Sequence, residues 1–439
     1  MTAPARPGRS WLLRLVITFS FAQGAVSMAR PAVSYRALAL GADERAIGVI
    51  TAVYALLPLL VAVPLGRRTD HGRCAPLLVV GVALISGGCA LSGLAGSLPT
   101  MAAWSGVMGL GHLCFVIGAQ SIVARRSAPE DRDRNFGHFT IGASLGQLVG
   151  PVAAGLVISG HDGAMARTSA TALLVSGAVA AVAYLSLWRL EQRAGATEGG
   201  TGRAAGPPVP VRGILRTRGV PAGIFMSLAV LSATDILTAY LPVIGEDRHI
   251  APTTIGLLLS LRAAATIACR VVMTPMIRWL GRTALMVGSC APAGLLCGAM
   301  VLPAPVWALA LMLTGLGFCL GVGQPLSMTT VVQAAPDRAR STALALRLTG
   351  NRLGQVAAPA AAGLLAGVAG TAAPFVMLGV LLLASAGTAA RGGKPERGAP
   401  PARSGGPGTP PAEAAGDGVR QTGQDERRTG SGAGRPGEQ

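Results

Sequence analysis

Acid is scarce in this chain, and lysine is nearly missing. Its 439 residues carry 19 aspartates and glutamates against 37 lysines and arginines, and Lys394 is the one lysine. Charged residues make up 13%, about half of the roughly 25% usual in soluble domains. That shortage excludes an ordinary soluble domain, which needs more polar surface. Other absences narrow the chemistry. No GxxxxGK[ST] loop is present, so nucleotide-driven work has no engine. The five histidines (His71, His112, His138, His161, His249) form no HExxH or other ligand spacing, so no metal centre is expected. His112 and His138 stand alone in or beside apolar runs and read as packing. The seven cysteines (Cys74, Cys89, Cys114, Cys269, Cys290, Cys297, Cys319) make no CxxC pair and read as small core residues. Neither a GxSxG elbow nor a paired acidic motif points to membrane enzymology, so no cofactor or catalytic residue is expected. What remains is 51% hydrophobic with a mean hydropathy of +0.53, the composition of a polytopic membrane protein.

The formal charge of +18 would fit nucleic-acid binding if a soluble basic domain carried it. Instead the arginines fall between apolar runs and in the tail, where they set membrane orientation. Their dominance over lysine reads as genome base composition. Arg6 and Arg9 followed by Trp11 imitate a signal peptide, but the apolar stretch runs too long and lacks a clear cleavage site. A retained first helix is expected.

A helix needs about 20 apolar residues to cross a bilayer. Twelve candidates qualify: 11–36, 46–66, 74–96, 99–124, 136–159, 167–189, 220–243, 253–276, 283–302, 304–333, 341–367 and 371–391. The expected organisation is a short N-terminus (1–10), six helices (11–189), a Gly, Pro and Arg-rich linker (190–219), six more helices (220–391) and a tail without apolar period (392–439). Arginines collect in the even-numbered gaps: Arg67, Arg68 and Arg73; Arg125, Arg126, Arg132 and Arg134; Arg193, Arg203, Arg212, Arg216 and Arg218; Arg278 and Arg282; Arg338 and Arg340. The odd-numbered gaps are nearly neutral. Both termini and the linker are therefore expected in the cytoplasm. Trp11, Trp188 and Trp279 then lie near cytoplasmic helix ends, and Trp104 and Trp307 near outer ends.

The two sets of six repeat. LGQLVGPVAAGL (145–156) matches LGQVAAPAAAGL (353–364), an offset of 208, and the same offset pairs Ile47-Gly48 with Ile255-Gly256. Parallel repeats of this kind mark transporters whose site lies between the halves near the midplane. PLGRRTDHGR (64–73) reads as the turn between spans 2 and 3, and TPMIRWLGR (274–282) is its echo. Gly66, Asp70, Gly72 and Arg73 in that turn resemble the loop motif of the major facilitator superfamily, with the Asp-to-Gly spacing one residue short. Span count, middle loop, repeat and motif extend the resemblance over about residues 10–391. It implies an all-α fold of twelve transmembrane helices in two pseudo-symmetric six-helix bundles. It also implies a cytoplasmic latch made by Asp70 and Arg73, supported by the dipole of the following helix and by charge-assisted hydrogen bonds. The plainer reading is that these charges set topology.

Span 5 carries GASLGQLVGPVAAG, with Gly142, Gly146, Gly150, Pro151 and Gly155. Glycines four apart allow close helix approach, and the proline frees a carbonyl. The stretch resembles the span-5 motif of the superfamily's drug–proton antiporters, with Ala154 where a glycine is usual. Pro359 and Gly363 stand at the matching places in span 11, so hinge and packing chemistry common to the fold explains it too.

An ionisable group inside the membrane is a functional hypothesis by default. Asp235 is the carboxylate expected well inside a span. Aligning ARPAVSY (29–35) with TDILTAY (234–240) pairs Arg30 with Asp235 and Tyr35 with Tyr240. Spans 1 and 7 border the central cavity in the superfamily, so the resemblance implies that Arg30 and Asp235 meet across it. Arg262 and Arg270 in span 8 lie about 12 Å apart on one face. Span 11 adds Arg347 and Asn351, four apart, with Arg352 and Gln355, the last mirroring Gln147. Gln23, Gln120 and Gln324 occupy other cavity-bordering spans. Asp235 is either a proton- or substrate-linked switch, a permanent salt bridge, or a residue at an interface. The surplus of intramembrane arginine leaves room for an anionic substrate, although Arg270 and Arg352 have the length to snorkel to the cytoplasm. The expectation is a monomeric secondary transporter in a bacterial cytoplasmic membrane. Its partners are the lipid bilayer, a small-molecule substrate and protons, and its leading activity is proton-coupled export. Uptake of an anionic metabolite and a non-transporting sensor or scaffold are the alternatives.

Overall fold

The computed structural model describes residues 10–71, 75–127, 132–159, 165–191, 211–217, 219–335 and 340–392. Every regular element among them is helical. The first six are α1 (Ser10–Ala39), α2 (Glu44–His71), α3 (Ala75–Leu94), α4 (Leu98–Arg126), α5 (Arg132–Ser159) and α6 (Met165–Glu191). A single turn and a half, α7 (Val211–Arg216), follows. The second set is α8 (Val220–Asp247), α9 (Pro252–Leu280), α10 (Arg282–Ala299), α11 (Val306–Ala334), α12 (Arg340–Ala369) and α13 (Ala373–Gly392). Short turns make consecutive long helices antiparallel. Prolines sit in the first turn of α4, α8 and α9, where their missing N–H costs nothing. Asp43 caps α2 by accepting from the Ala46 N–H at 2.8 Å. Gly41, Gly281 and Gly370 take positive φ in the turns after α1, α9 and α12.

Among the described residues, eleven helices are long and apolar enough to cross a membrane. The remaining long helix, α10, has 18 residues and begins on Arg282. It stops at Ala299, three residues before the expected end, because a turn leads into Pro303.

Two expectations need correction. Helix α2 runs to His71, so Gly66 and Asp70 are helical, not part of a turn. Arginine is a good helix former, and the polar run extends the helix past the apolar core. Asp70 therefore lies in the last turn of α2, the negative end of a helix dipole, instead of ahead of the positive end of α3. Gly72, Arg73 and the side chain of Asp70 lie outside the described residues, as does the region 393–439. The stretch expected as a plain linker contains α7, whose buried Ile214 packs with Val220 and Val331.

One buried apolar core runs through both six-helix halves. In the first half, Phe19 of α1 stacks on Phe115 of α4 (5.7 Å) and on Phe139 of α5 (4.2 Å). Arg36 ties the far-end turns together by donating to Ala95 O and Ala166 O at 2.8 and 2.7 Å. Arg248 does the same in the second half, reaching Met300 O and Leu302 O at 3.1 Å. "Far end" here means the end of the bundle opposite the termini.

The halves meet across a repeat-related seam at that end. A methyl on Gly48 of α2 would meet Pro359 O and Gly363 Cα of α12 at 2.6 Å. Its repeat mate Gly256 of α9 is pressed in the same way onto Pro151 of α5. Gly155 continues the seam against Pro252 and Thr253. Hydrogen bonds reinforce it: the Tyr240 hydroxyl donates to Glu44 O (2.9 Å), Arg45 to Gly367 O (2.9 Å), and the Thr253 N–H to Ser159 Oγ (3.0 Å). Nearer the termini, glycines of α5 and α12 pack within their own halves. Gly142, Gly146 and Gly150 lie against α1, while Gly350 and Gly354 meet Ile224 and Leu228 of α8.

Candidate functional site at the centre of the bundle

Helix α1 carries one polar stripe through its middle. Gln23, Ser27, Arg30 and Ser34 follow steps of four, three and four, so they share a face. That face looks across the molecule to α8. There Arg30 Nη1 donates to Asp235 Oδ1 at 2.6 Å. The other carboxylate oxygen accepts from Gln355 Nε2 of α12 at 2.9 Å, and Gln355 Oε1 accepts from Arg352 Nη1 at 3.0 Å. Asp235 is 4% exposed, so its charge lives on these two partners. The pair joins the first half to the second.

A second branch leads from Arg30 into the first half. Its guanidinium lies 5.3 Å from the centre of the Tyr54 ring. The Tyr54 hydroxyl bonds His112 Nδ1 at 2.9 Å, and His112 Nε2 bonds Gln23 Oε1 at 3.1 Å. Gln23 Nε2 donates onward to Ser27 Oγ at 3.3 Å. With a carbonyl oxygen facing Nε2, that nitrogen carries the proton, and Nδ1 accepts from tyrosine. The result is a continuous polar chain from Gln23 to Arg352 through both halves. Beyond Arg30, toward the seam, a small pocket with room for about one water molecule is lined by Arg30, Ser34, Thr51, Tyr54, Ser105 and Ala239.

Arg262 lies on α9, where its carbonyl accepts from Thr266 Oγ1 at 3.1 Å. Its Nε is buried with no hydrogen-bond partner. The other expected site residues sit elsewhere. Arg347 bonds Gln324 Oε1 (2.6 Å) and Ser327 Oγ (3.1 Å) inside the second half. Asn351 is buried with Oδ1 unpartnered. Tyr35 is buried, its hydroxyl also unpartnered, and Tyr240 belongs to the seam. Gln147, repeat mate of Gln355, is exposed, as are Gln120 and Arg270. Arg352 is turned toward Gln355, not extended toward the helix end. His112 and Tyr54 were not expected in the site. Their signal was positional: Ser105, Met108 and His112 recur at helical spacing on α4, as Thr51 and Tyr54 do on α2.

The family model for the Major Facilitator Superfamily matches residues 15–247 and 223–422. A comparison with curated proteins finds no match. Among solved structures, the nucleoside transporter NupG is similar with a TM-score of 0.68 at 14% identity, covering 88% of this chain and 100% of that one. A bacterial homolog to the human lysosomal transporter Spinster, inward-facing and occupied, gives 0.68 at 15% identity, covering 89% and 97%. A POT family transporter in complex with 5-aminolevulinic acid gives 0.69 at 14% identity, covering 87% and 96%. At these identities the likeness speaks to the fold alone. The repeated six-helix halves, the charged centre between them and the family match over most of its length together show that the chain belongs to the major facilitator superfamily, as a multi-pass secondary transporter working by alternating access.

Proposed function

We propose that this chain exports small organic molecules across the cytoplasmic membrane in exchange for protons, with its termini inside and Asp235 as the coupling residue. One observation carries the reading: Arg30 and Asp235 come from opposite halves and form an ion pair at the centre. A bond between moving bodies is sensitive to their relative position. Protonating Asp235 removes the charge that Arg30 and Gln355 hold, so the balance between states shifts by the interaction lost. Energy then comes from the gradient, about 2.3 kcal/mol per charge per 100 mV. Direction rests on the glycine and proline pattern of α5, which resembles that of antiporters. The latch assigned to Asp70 and Arg73 belongs to the same reading. It would hold the terminal end shut when the far-end seam opens.

Uptake of an anionic metabolite is the second reading, favoured by Arg262, whose buried Nε has no hydrogen-bond partner. Sealed vesicles with an imposed proton gradient test both. Wild-type protein is expected to move substrate against its concentration, outward-directed in the first reading and inward-directed in the second. Asp235→Asn is expected to leave only downhill exchange. Uphill transport by Asp235→Asn at the wild-type rate would end the coupling role.

A further inference from the structure

Arg30 is loosely steered for a residue at the centre of the molecule. Among the described residues its guanidinium makes one hydrogen bond, from Nη1 to Asp235 Oδ1. A two-pronged arginine–carboxylate fork fixes its own geometry; a single prong leaves the guanidinium plane free to turn. Its other support is Tyr54, whose ring centre lies 5.3 Å away. The direction of Arg30 therefore depends on where that ring stands.

Helix packing alone does not set this. Arg30 belongs to α1 and Tyr54 to α2, and these two helices scarcely touch. Helix α1 packs chiefly on α5 and α6, whereas α2 packs on α4 and α12. Gly109 brings α4 close against Tyr54, where a methyl would strike the Tyr54 carbonyl and crowd its ring. Three residues further along α4, His112 joins α2 to α1 through side chains. Its Nδ1 accepts from the Tyr54 hydroxyl at 2.9 Å, and its Nε2 donates to Gln23 Oε1 at 3.1 Å. Gln23 leads on to Ser27 at 3.3 Å, along the stripe that carries Arg30. Tyr54 and Gln23 are both 8% exposed, so water competes poorly for these bonds.

We propose that His112 is a positioning residue for the central ion pair: in its neutral, Nε2-protonated form it spans α1 and α2, holds the Tyr54 ring beside Arg30, and so keeps the guanidinium on Asp235. The inference deepens the reading of Arg30 and Asp235 as the coupling pair, and rests on that reading for its consequence in transport. Histidine suits the place because one rigid ring presents an acceptor and a donor on different edges. Both neighbours are satisfied at once, and the imidazole need not change charge. An apolar residue of similar size leaves the Tyr54 hydroxyl and the Gln23 amide without that partner and frees the ring to drift.

The test is whether the strength of the Arg30–Asp235 pair depends on residue 112. The full chain in detergent is carried through the cycle of Arg30→Gln, Asp235→Asn and the double variant, read by unfolding temperature. The cycle is run with His112, with His112→Leu and with His112→Asn. The non-additivity of the pair should drop to about half or less in His112→Leu. His112→Asn offers a carbonyl oxygen near the place of Nδ1 but cannot span to Gln23, so it should restore part of the coupling. An undiminished cycle in His112→Leu would overturn the proposal, as would an Asn variant no better than Leu. A second measurement needs no variant that must fold well. In protein labelled with 15N-histidine, the signal that disappears in His112→Asn should show the proton on Nε2 and a hydrogen-bonded, unprotonated Nδ1. A proton on Nδ1 reverses the donors and sinks the arrangement. Proton-driven transport in vesicles should fall severalfold in His112→Leu and recover partly in His112→Asn. The cycle requires no transport, so the two readings fail separately. Parental proton-driven transport by Asp235→Asn would end the coupling role and leave the positioning role standing; an undiminished cycle beside a dead Asp235→Asn would do the reverse.

Discussion

Asp235 holds two bonds with different jobs. The one to Arg30 crosses between halves and carries charge; the one to Gln355 stays within the second half. Removing Arg30 leaves a buried carboxylate with only an amide, and breaking a buried pair in this way costs about 3–5 kcal/mol. Arg30→Gln is therefore expected to lower the unfolding temperature in detergent sharply. The double variant Arg30→Gln, Asp235→Asn should recover much of the loss, since no lone charge remains. Additive losses in that cycle would mean that the two residues do not depend on each other. Tyr54 separates two effects on the other branch. Tyr54→Phe keeps the ring beside Arg30 and removes only the bond to His112, at about 1 kcal/mol. Tyr54→Ala loses the cation–ring contact as well and should cost clearly more in the same measurement.

At the scale of elements, α5 and α12, with repeat-related prolines at Pro151 and Pro359, divide their labour along their length. Near the termini, α5 presses Gly146 onto α1 within one half. Further along, Pro151 and Gly155 meet α9 of the other half. Bulk at the two places should have different consequences. Gly146→Val should impair folding and lower the yield of intact protein. Gly48→Val and Gly256→Val, on the seam, should fold and fail to close. A cysteine at Ser34, in the cavity behind the seam, reports this: its reaction with an impermeant thiol reagent should rise severalfold in Gly48→Val and stay low in the parent. An unchanged rate would place the closure elsewhere.

The same elements explain what the sequence could and could not tell. Apolar runs near 20 residues revealed the twelve long helices, because crossing a bilayer constrains length and composition together. Repeat register made Arg30 and Asp235 equivalents, and the family resemblance implied that spans 1 and 7 meet near the axis, where the two form an ion pair. The 208-residue offset identified Gly48 with Gly256, and Pro151 with Pro359, as equivalents. It could not tell that each glycine packs on the other half's proline, since equivalence is not contact. Gln147 and Gln355 mark the limit of symmetry. They share a motif, but a carboxylate stands opposite only one of them, and Gln147 is exposed. The end of α2 was misread because arginines and a histidine look like a loop when polarity alone is counted. His112 was set aside as a lone histidine, and nothing in one chain's linear order brings it to Tyr54.

For the whole molecule, these parts make a two-state device. The seam at the far end, the ion pair at the centre and the packing of each half against itself nearer the termini describe the far-end-closed state. In this account the Arg30–Asp235 pair stabilises that state, and losing the carboxylate's charge favours the other. The most direct test is the distance between spin labels on either side of the seam. Val49 of α2 and Leu364 of α12 are exposed, at 52% and 66%, and accept labels without touching the close contacts beside them. In nanodiscs, with native cysteines replaced, pulsed dipolar spectroscopy should give a short distance for the parent protein. Asp235→Asn should move population to a longer one, and acid should push the parent the same way. A distribution that neither the substitution nor acid moves would contradict the account, leaving the pair a fixed brace and the coupling somewhere else.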